Sequence, residues 1–168
     1  MTTLLLPNSE LVACAWLAQI SGWNTGMVGT TLPRIGPTGP LPDWIAAGFV
    51  TVGVVGGTPG SHVPLAEPAL SVNCWAVNAT CAGIGQPINV SPRPPWGKAA
   101  QLAEQIRYAV YVLDRGIGRH VAMAVPGYAG AAVMSALMLT EPRRVPADIA
   151  GYARFQFDLQ LDWVTGSL

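Results

Sequence analysis

The residues that could do chemistry in this chain are few and scattered. Gly53, Gly56 and Gly57 stand beside a β-branched run, the setting in which glycines let a backbone cradle a phosphate. The run lacks the Gly-Lys-Ser/Thr that completes a phosphate loop, and Lys98, the one lysine, lies far along the chain. It also lacks a GxGxxG leading into a helix, so a β-turn is the expectation there. His62 and His120 are far apart, and neither has a second ligand at helical spacing. Zinc needs three or four ligands, so these are expected to be a loop histidine and a strand-edge histidine. Cys14, Cys74 and Cys81 make an odd count with no CxxC, neither a metal motif nor a disulfide framework. Reduced, mostly buried thiols are the expectation; a Cys74–Cys81 bridge is geometrically possible, but nothing calls for it.

No GxSxG or HExxH occurs. Asp158 and Asp162 share the wet face of a strand, too far apart to pair directly, and a solvated polar face explains them better than acid/base work. The six tryptophans are scattered, which favours packing over a carbohydrate platform. The sequence therefore assigns no catalytic, cofactor-binding or metal residue, and no enzyme activity is expected.

What positions these residues is clearest at the end of the chain. Residues 153–163 alternate without a break: Ala153, Phe155, Phe157, Leu159, Leu161 and Trp163 apolar, Arg154, Gln156, Asp158, Gln160 and Asp162 polar. That is the period of a strand with one dry and one wet face. Its dry face needs a partner of similar length, and residues 98–114 supply one. There Ala99, Leu102, Ala103, Ile106, Ala109, Val110 and Leu113 recur at helical spacing, with Gly116 as the stop. The expected core pairs Phe155, Phe157, Leu159 and Leu161 with Leu102, Ile106, Ala109 and Leu113.

Earlier in the chain, Asn8 or Ser9 should cap a helix running to about Ile20, with Glu10 in its first turn. Leu11, Cys14, Ala15 and Ala18 share one face of it, and three of the four are small. Residues 27–32 read as a short strand, and Asp43 as the cap of a single turn over 44–46. Residues 49–55 are a strand, 56–61 the turn after it, and 68–77 the next strand, an antiparallel partner with a projecting loop. Residues 120–125 and 131–140 are strands around Pro126-Gly127. That pair accounts for the uncharged stretch 121–140 better than a membrane span does, because the Pro-Gly breaks it in the middle. The N-terminus lacks a basic n-region, so no signal peptide is expected. The expected fold is α/β in the α+β sense: a small mixed, mainly antiparallel sheet packed on one long helix, with an additional N-terminal helix and long Pro/Gly-rich loops, all in one domain over residues 1–168.

Composition narrows the partners. A chain of 168 residues buries roughly 70% of its unfolded surface, enough for a real core. Net charge is zero and 11% of residues are charged, so there is no basic patch to neutralise phosphates. With 51% apolar residues and little charge to keep molecules apart, part of the surface is expected to lie against another subunit.

The order of elements then points to a family. Val54-Val55-Gly56-Gly57 ends a strand, and Pro68-Ala69-Leu70-Ser71-Val72-Asn73-Cys74-Trp75-Ala76 follows. Pro94-Pro95-Trp96-Gly97-Lys98-Ala99 opens the Ala/Leu-rich helix, and Pro142-Arg143-Arg144 and Tyr152-Ala153-Arg154-Phe155-Gln156-Phe157 come near the end. From about Leu11 to Val164 this resembles the tail terminator (tail completion) proteins of long-tailed, siphovirus-type bacteriophages, especially those of actinobacterial hosts. The resemblance implies a small α/β sheet flanked by helices. It implies a homo-oligomeric ring of six copies that caps the tail tube, stops its polymerisation and offers a surface to the head-side connector or stopper protein. It implies a virion protein of the tail or neck, assembled in the host cytoplasm, with no active site and no membrane partner, and with DNA only passing through the channel. Another neck or tail component, such as a head-tail stopper or adaptor, shares this architecture and is the alternative.

Two surfaces follow as expectations. The proline-rich stretches 30–42 and 84–96 are too long for ordinary connections, and proline lowers the entropy lost on docking. They are expected to reach a neighbouring subunit or ring, with Ile88, Pro94, Pro95 and Trp96 at the interface; the alternative, strongest for the first stretch, is a pair of surface loops folded on their own domain. Asp158 and Asp162 are the expected channel lining, since a basic lumen would hold DNA by its phosphates.

Overall fold

The computed structural model describes residues 5–59, 65–111 and 120–166. The chain is a mixed α+β structure built on a mostly antiparallel sheet. In order it forms α1 (Ser9–Leu17), a 3-10 turn (Thr25–Met27), β1 (Val28–Gly29), α2 (Trp44–Ala47), β2 (Phe49–Pro59), β3 (Leu65–Val77), β4 (Ala79–Cys81) and β5 (Ile88–Val90). It continues with α3 (Trp96–Tyr111), β6 (His120–Val121), β7 (Ala131–Met138), β8 (Arg143–Val145) and β9 (Tyr152–Thr165). The main sheet runs β1-β2-β3-β9-β7-β6, with β8 also beside β9. Among the named strands of the described residues, only the β1–β2 pair is parallel.

The alternating stretch at the chain's end is the middle of this sheet. β9 spans 14 residues. It pairs with β3 along one side, from Val77↔Tyr152 to Leu65↔Val164, and with β8 and then β7 along the other. Because side chains alternate across a strand, register alone sorts the sheet's faces. Leu70, Val72 and Cys74 on β3 stand beside Leu159, Phe157 and Phe155 on β9. This face carries α3 and α1. Phe157, Leu159 and Leu161 share one buried cluster with Leu102, Ile106 and Ala109 of α3, and Phe155 packs against it. Leu113, Asp114 and Gly116 lie outside the described residues.

α1 begins as its residues predict: the Asn8 side chain accepts from the Leu11 amide at 2.8 Å. It ends at Leu17 rather than Ile20. It buries Val12, Ala13, Trp16 and Leu17, and Leu11, Cys14, Ala15 and Ala18 stay half-buried. The large side chains bring more apolar area out of water than the small ones, so they take the sheet.

Several strand boundaries differ from expectation, among them the start of β3 at Leu65 and the end of β7 at Met138. Residues 56–59 belong to β2 and are not a turn. The register with β3 shifts by one between Val54 and Gly56, so a bulge at Val55 lets the strand continue. Gly57 makes this possible. Its φ is +119°, and an added Cβ there would stand 2.6 Å from the Pro68 Cα. Gly60, Ser61 and His62 lie outside the described residues. The 27–32 strand contracts to Val28–Gly29 after a 3-10 turn capped by the Asn24 side chain. β6 keeps two residues of the expected six. α3 starts at Trp96, two residues before the expected Lys98, and the Pro95 carbonyl accepts from the Lys98 and Ala99 amides.

The stretch 30–42 packs in part on its own chain. Leu32, Ile35 and Leu41 pack on a second buried cluster of Trp44, Ile45, Phe49, Val77 and Tyr152. By register, Phe49, Val77 and Tyr152 lie on the sheet face opposite α3, and segment 32–45 covers that end of it. Trp44 meets Phe49 edge-on with ring centroids 5.9 Å apart.

Candidate functional site

Two surfaces of this scaffold hold the candidate residues. The first is the remainder of the face opposite α3. Arg154, Gln156, Asp158, Gln160 and Asp162 project from β9, beside Ser71, Asn73 and Trp75 of β3. They are bound to one another across the strands. Arg154 donates to Asn73 Oδ1 at 2.9 Å and stacks on Trp75 with its guanidinium carbon 5.0 Å from the ring centroid. Gln156 donates to Ser71 Oγ at 3.0 Å. Trp75 Nε1 donates to Thr51 Oγ1 at 3.0 Å. Asp162 accepts from Ser135 Oγ and from Gln160 Nε2 at 2.9 Å. Asp158 and Asp162 thus share a face, as their spacing requires, but Asp162 is a member of a polar ladder. The charges are graded along the strand, with Arg154, and Arg143 opposite Gln156, at one end and Asp158 and Asp162 towards the other. Nothing in this ladder brings a general acid and base onto a common point.

The second surface is the end of the molecule where the two Pro/Gly-rich stretches meet. β4 and β5 form a separate hairpin, Ala79↔Val90 to Cys81↔Ile88. Thr38 bridges Pro87. The Gly39 amide donates to the Gln86 carbonyl at 2.8 Å, and the Ile88 amide to the Pro37 carbonyl at 3.0 Å. The local signal for this hairpin is the β-branched pair Ile88 and Val90 on either side of Asn89. The hairpin tip is apolar and open, with Ile84 86% exposed. Ile88 is half-buried in β5. Pro94 and Pro95 lead into α3 and are half-buried. Trp96 is committed to its own chain. Its ring meets Phe155 edge-on at 6.2 Å, and the Arg144 guanidinium carbon lies 5.2 Å from its ring centroid.

Between the hairpin base and α2 lies a cleft of about 820 Å³, lined by Ile45, Val77, Val90, Pro92 and Lys98 among others. Lys98 donates to the Ile45 carbonyl at 3.1 Å. Its walls are chiefly apolar, and it holds no nucleophile paired with a base.

Among the described residues, the thiols and His120 add no site. All three cysteines are free. Cys74 is sealed in the core, where burial pushes its thiol far up. Burial, with the Glu10 carboxylate adding to it, pushes Cys14 up to about 11. Cys81 is half-buried and donates to the Gly83 carbonyl at 3.0 Å. The exposed His120 lies on β6, its carbonyl accepting from Gln19. Among the described residues, no group of three or more His, Cys, Asp or Glu could hold a metal ion, and no helix is long and apolar enough to cross a membrane.

Comparison with protein-family models gives no match, and comparison with curated proteins gives none either.

Proposed function

We propose that this chain is a tail terminator: a ring-forming virion protein, of six copies, that caps a phage tail tube, stops its polymerisation and joins it to the head-side connector or stopper protein. One observation carries the reading. The separate segments that resemble that family meet in a single patch. Residues 68–76 and 152–157 lie side by side, with Cys74 opposite Phe155 and Ala76 opposite Ala153. Trp96, from the Pro-Pro-Trp-Gly-Lys-Ala segment, packs on Phe155. Arg144, from Pro-Arg-Arg, lies over Trp96. Segments scattered through 168 residues and united in one layer are what a common architecture of small sheet, one long helix and Pro/Gly-rich loops requires.

The surfaces suit the role. A terminator needs unlike faces for its neighbours in the ring, the tube and the head connector. Here the apolar hairpin tip, the polar ladder and the outer face of α3, with Tyr108 and Tyr111 exposed, differ in chemistry. The ladder, with Asp158 and Asp162, is the face we assign to the channel, where carboxylates would let DNA pass without holding its phosphates. Ile88 and the hairpin it belongs to are assigned to contacts between subunits or rings.

The test is a phage lacking this protein. It should make filled heads and separate, unjoined tails, often overlong. Unjoined tails of normal length would move the assignment to a stopper or adaptor. Normal joined particles would overturn it.

A further inference from the structure

The margins of the sheet say how copies of this chain join. At one margin, β1 pairs with β2 only at Val50 and Thr51. At the other, β6 pairs with β7 only at Ala131 and Ala132. Among the described residues, no strand covers the rest of either margin, which leaves 54–59 of β2 and 133–138 of β7 as open edges. Neither window contains a charged residue, one of the devices that keep an edge strand from pairing; each does carry a register shift, at Val55 and at Met134, and the β2 window ends at Pro59, so the pairing must accommodate these. Large apolar side chains stand exposed on both: Val54 and Val55 on β2, Met134 and Leu137 on β7. On the β2 side the Val54 amide donates to a side chain, Glu10 Oε1 at 3.1 Å, rather than to a strand.

Register gives the relative height of the two windows. Val54 lies opposite Leu70, Leu70 opposite Leu159, and Leu159 opposite Met138. At the other end Pro59 lies opposite Ala66, Ala66 opposite Trp163, and Trp163 opposite Val133. The windows are therefore level across the sheet. β1 closes its margin below them and β6 above them. The strands β2, β3, β9 and β7 alternate in direction, so β7 runs antiparallel to β2. A copy rotated about an axis along the strands brings its β7 window against the β2 window of the next copy, antiparallel and level. Unlike surfaces joined with no axial step close into a ring, whereas offset windows would climb into a helix.

We propose that β2 of one copy and β7 of the next pair edge to edge through these windows, making the sheet continuous across the subunit boundary. The occupant of each edge is a second copy of this chain. The inference rests on the ring in the reading above and names its contact.

By register, Val54 and Met138 lie on the same face of the sheet, so cysteines there should meet across the boundary. The experiment uses full-length Val54→Cys and Met138→Cys chains in a Cys81→Ser background, each first checked to melt with the parent. They are oxidised with copper–phenanthroline in concentrated protein and in assembled particles. The expected result is a disulfide-linked dimer when the two variants are mixed, none from either alone, and a ladder ending in a closed species from the double variant. A dimer from Val54→Cys alone would mean two-fold β2 pairing and would overturn the proposal. So would a dimer from Met138→Cys alone, or no cross-link from the mixture in either setting. Joined particles from a phage lacking the protein would overturn the terminator reading and leave the cross-link standing. A ring without the cross-link would overturn this contact and leave the phage result standing.

Discussion

On one face of β9, Phe157, Leu159 and Leu161 are sealed under α3 and α1. On the other, Arg154, Gln156 and Asp162 hold Asn73 and Ser71 of β3, Ser135 of β7 and Gln160 of β9 through side-chain hydrogen bonds. The same backbone supports both, yet the first face derives its strength from area removed from water and the second from polar groups that satisfy each other at the surface. Burial in a packed core is costly to disturb, because a cavity remains. Exposed hydrogen bonds are exchanged for water at little net loss. The difference teaches that β9 is stabilised from one side and displayed on the other.

That contrast can be broken from the dry side first. Leu159→Ala or Ile106→Ala should cost about 2–5 kcal/mol in denaturant unfolding. A change in either below about 0.5 kcal/mol, the range of a surface substitution, would remove the distinction between the faces. Next comes Gly57→Ala, which forces a Cβ at positive φ against the β3 backbone. It should cost about 1–3 kcal/mol, and an unchanged midpoint would mean the β2 bulge relaxes freely. On the wet side, Arg154→Ala removes the Asn73 bond and the Trp75 stack and should cost only about 1 kcal/mol. A loss matching Leu159→Ala would show the polar ladder to be structural rather than displayed.

The smallest effect expected is a titration. The Cys14 thiol lies above its unfolded value of 9.0, at about 11, when folded. The folded state therefore favours the protonated thiol. Its contribution is complete below the unfolded value and is lost as pH rises through the folded one. Melting temperature should fall between pH 9 and 11, and fall less steeply in Cys14→Ala. Parallel curves for the two proteins would rule out Cys14 as the group responsible.

Much of the dry face was legible in advance. The alternation at 153–163 and the helical spacing at 99–110 each point one way, and each needs only a partner of matching length. The polar ladder was legible as a face but not as a network. Asp158 and Asp162 follow from period two, while the bonds of Arg154 to Asn73 and of Gln156 to Ser71 depend on a register that β3 and β9 settle between them. The own-chain packing of the first proline-rich stretch was not legible for a related reason. Prolines exclude helix and central strand, but they do not say what the segment lies against. The residues Leu32, Ile35 and Leu41 found that partner on their own chain.

The sequence by itself determined local matters: a helix start at Asn8 or Ser9 and the periods of α3 and β9. These follow from backbone geometry and side-chain alternation within a few residues. Only the tertiary structure decided which face of α1 is buried, that β2 continues through its glycines past a bulge, and that the two proline-rich stretches meet. It also decided that β2 and β7 stand level and uncovered at opposite margins. Each of these depends on pairing between residues distant in the chain, where hydrogen-bond register and competition for buried area choose among arrangements that the local pattern permits equally.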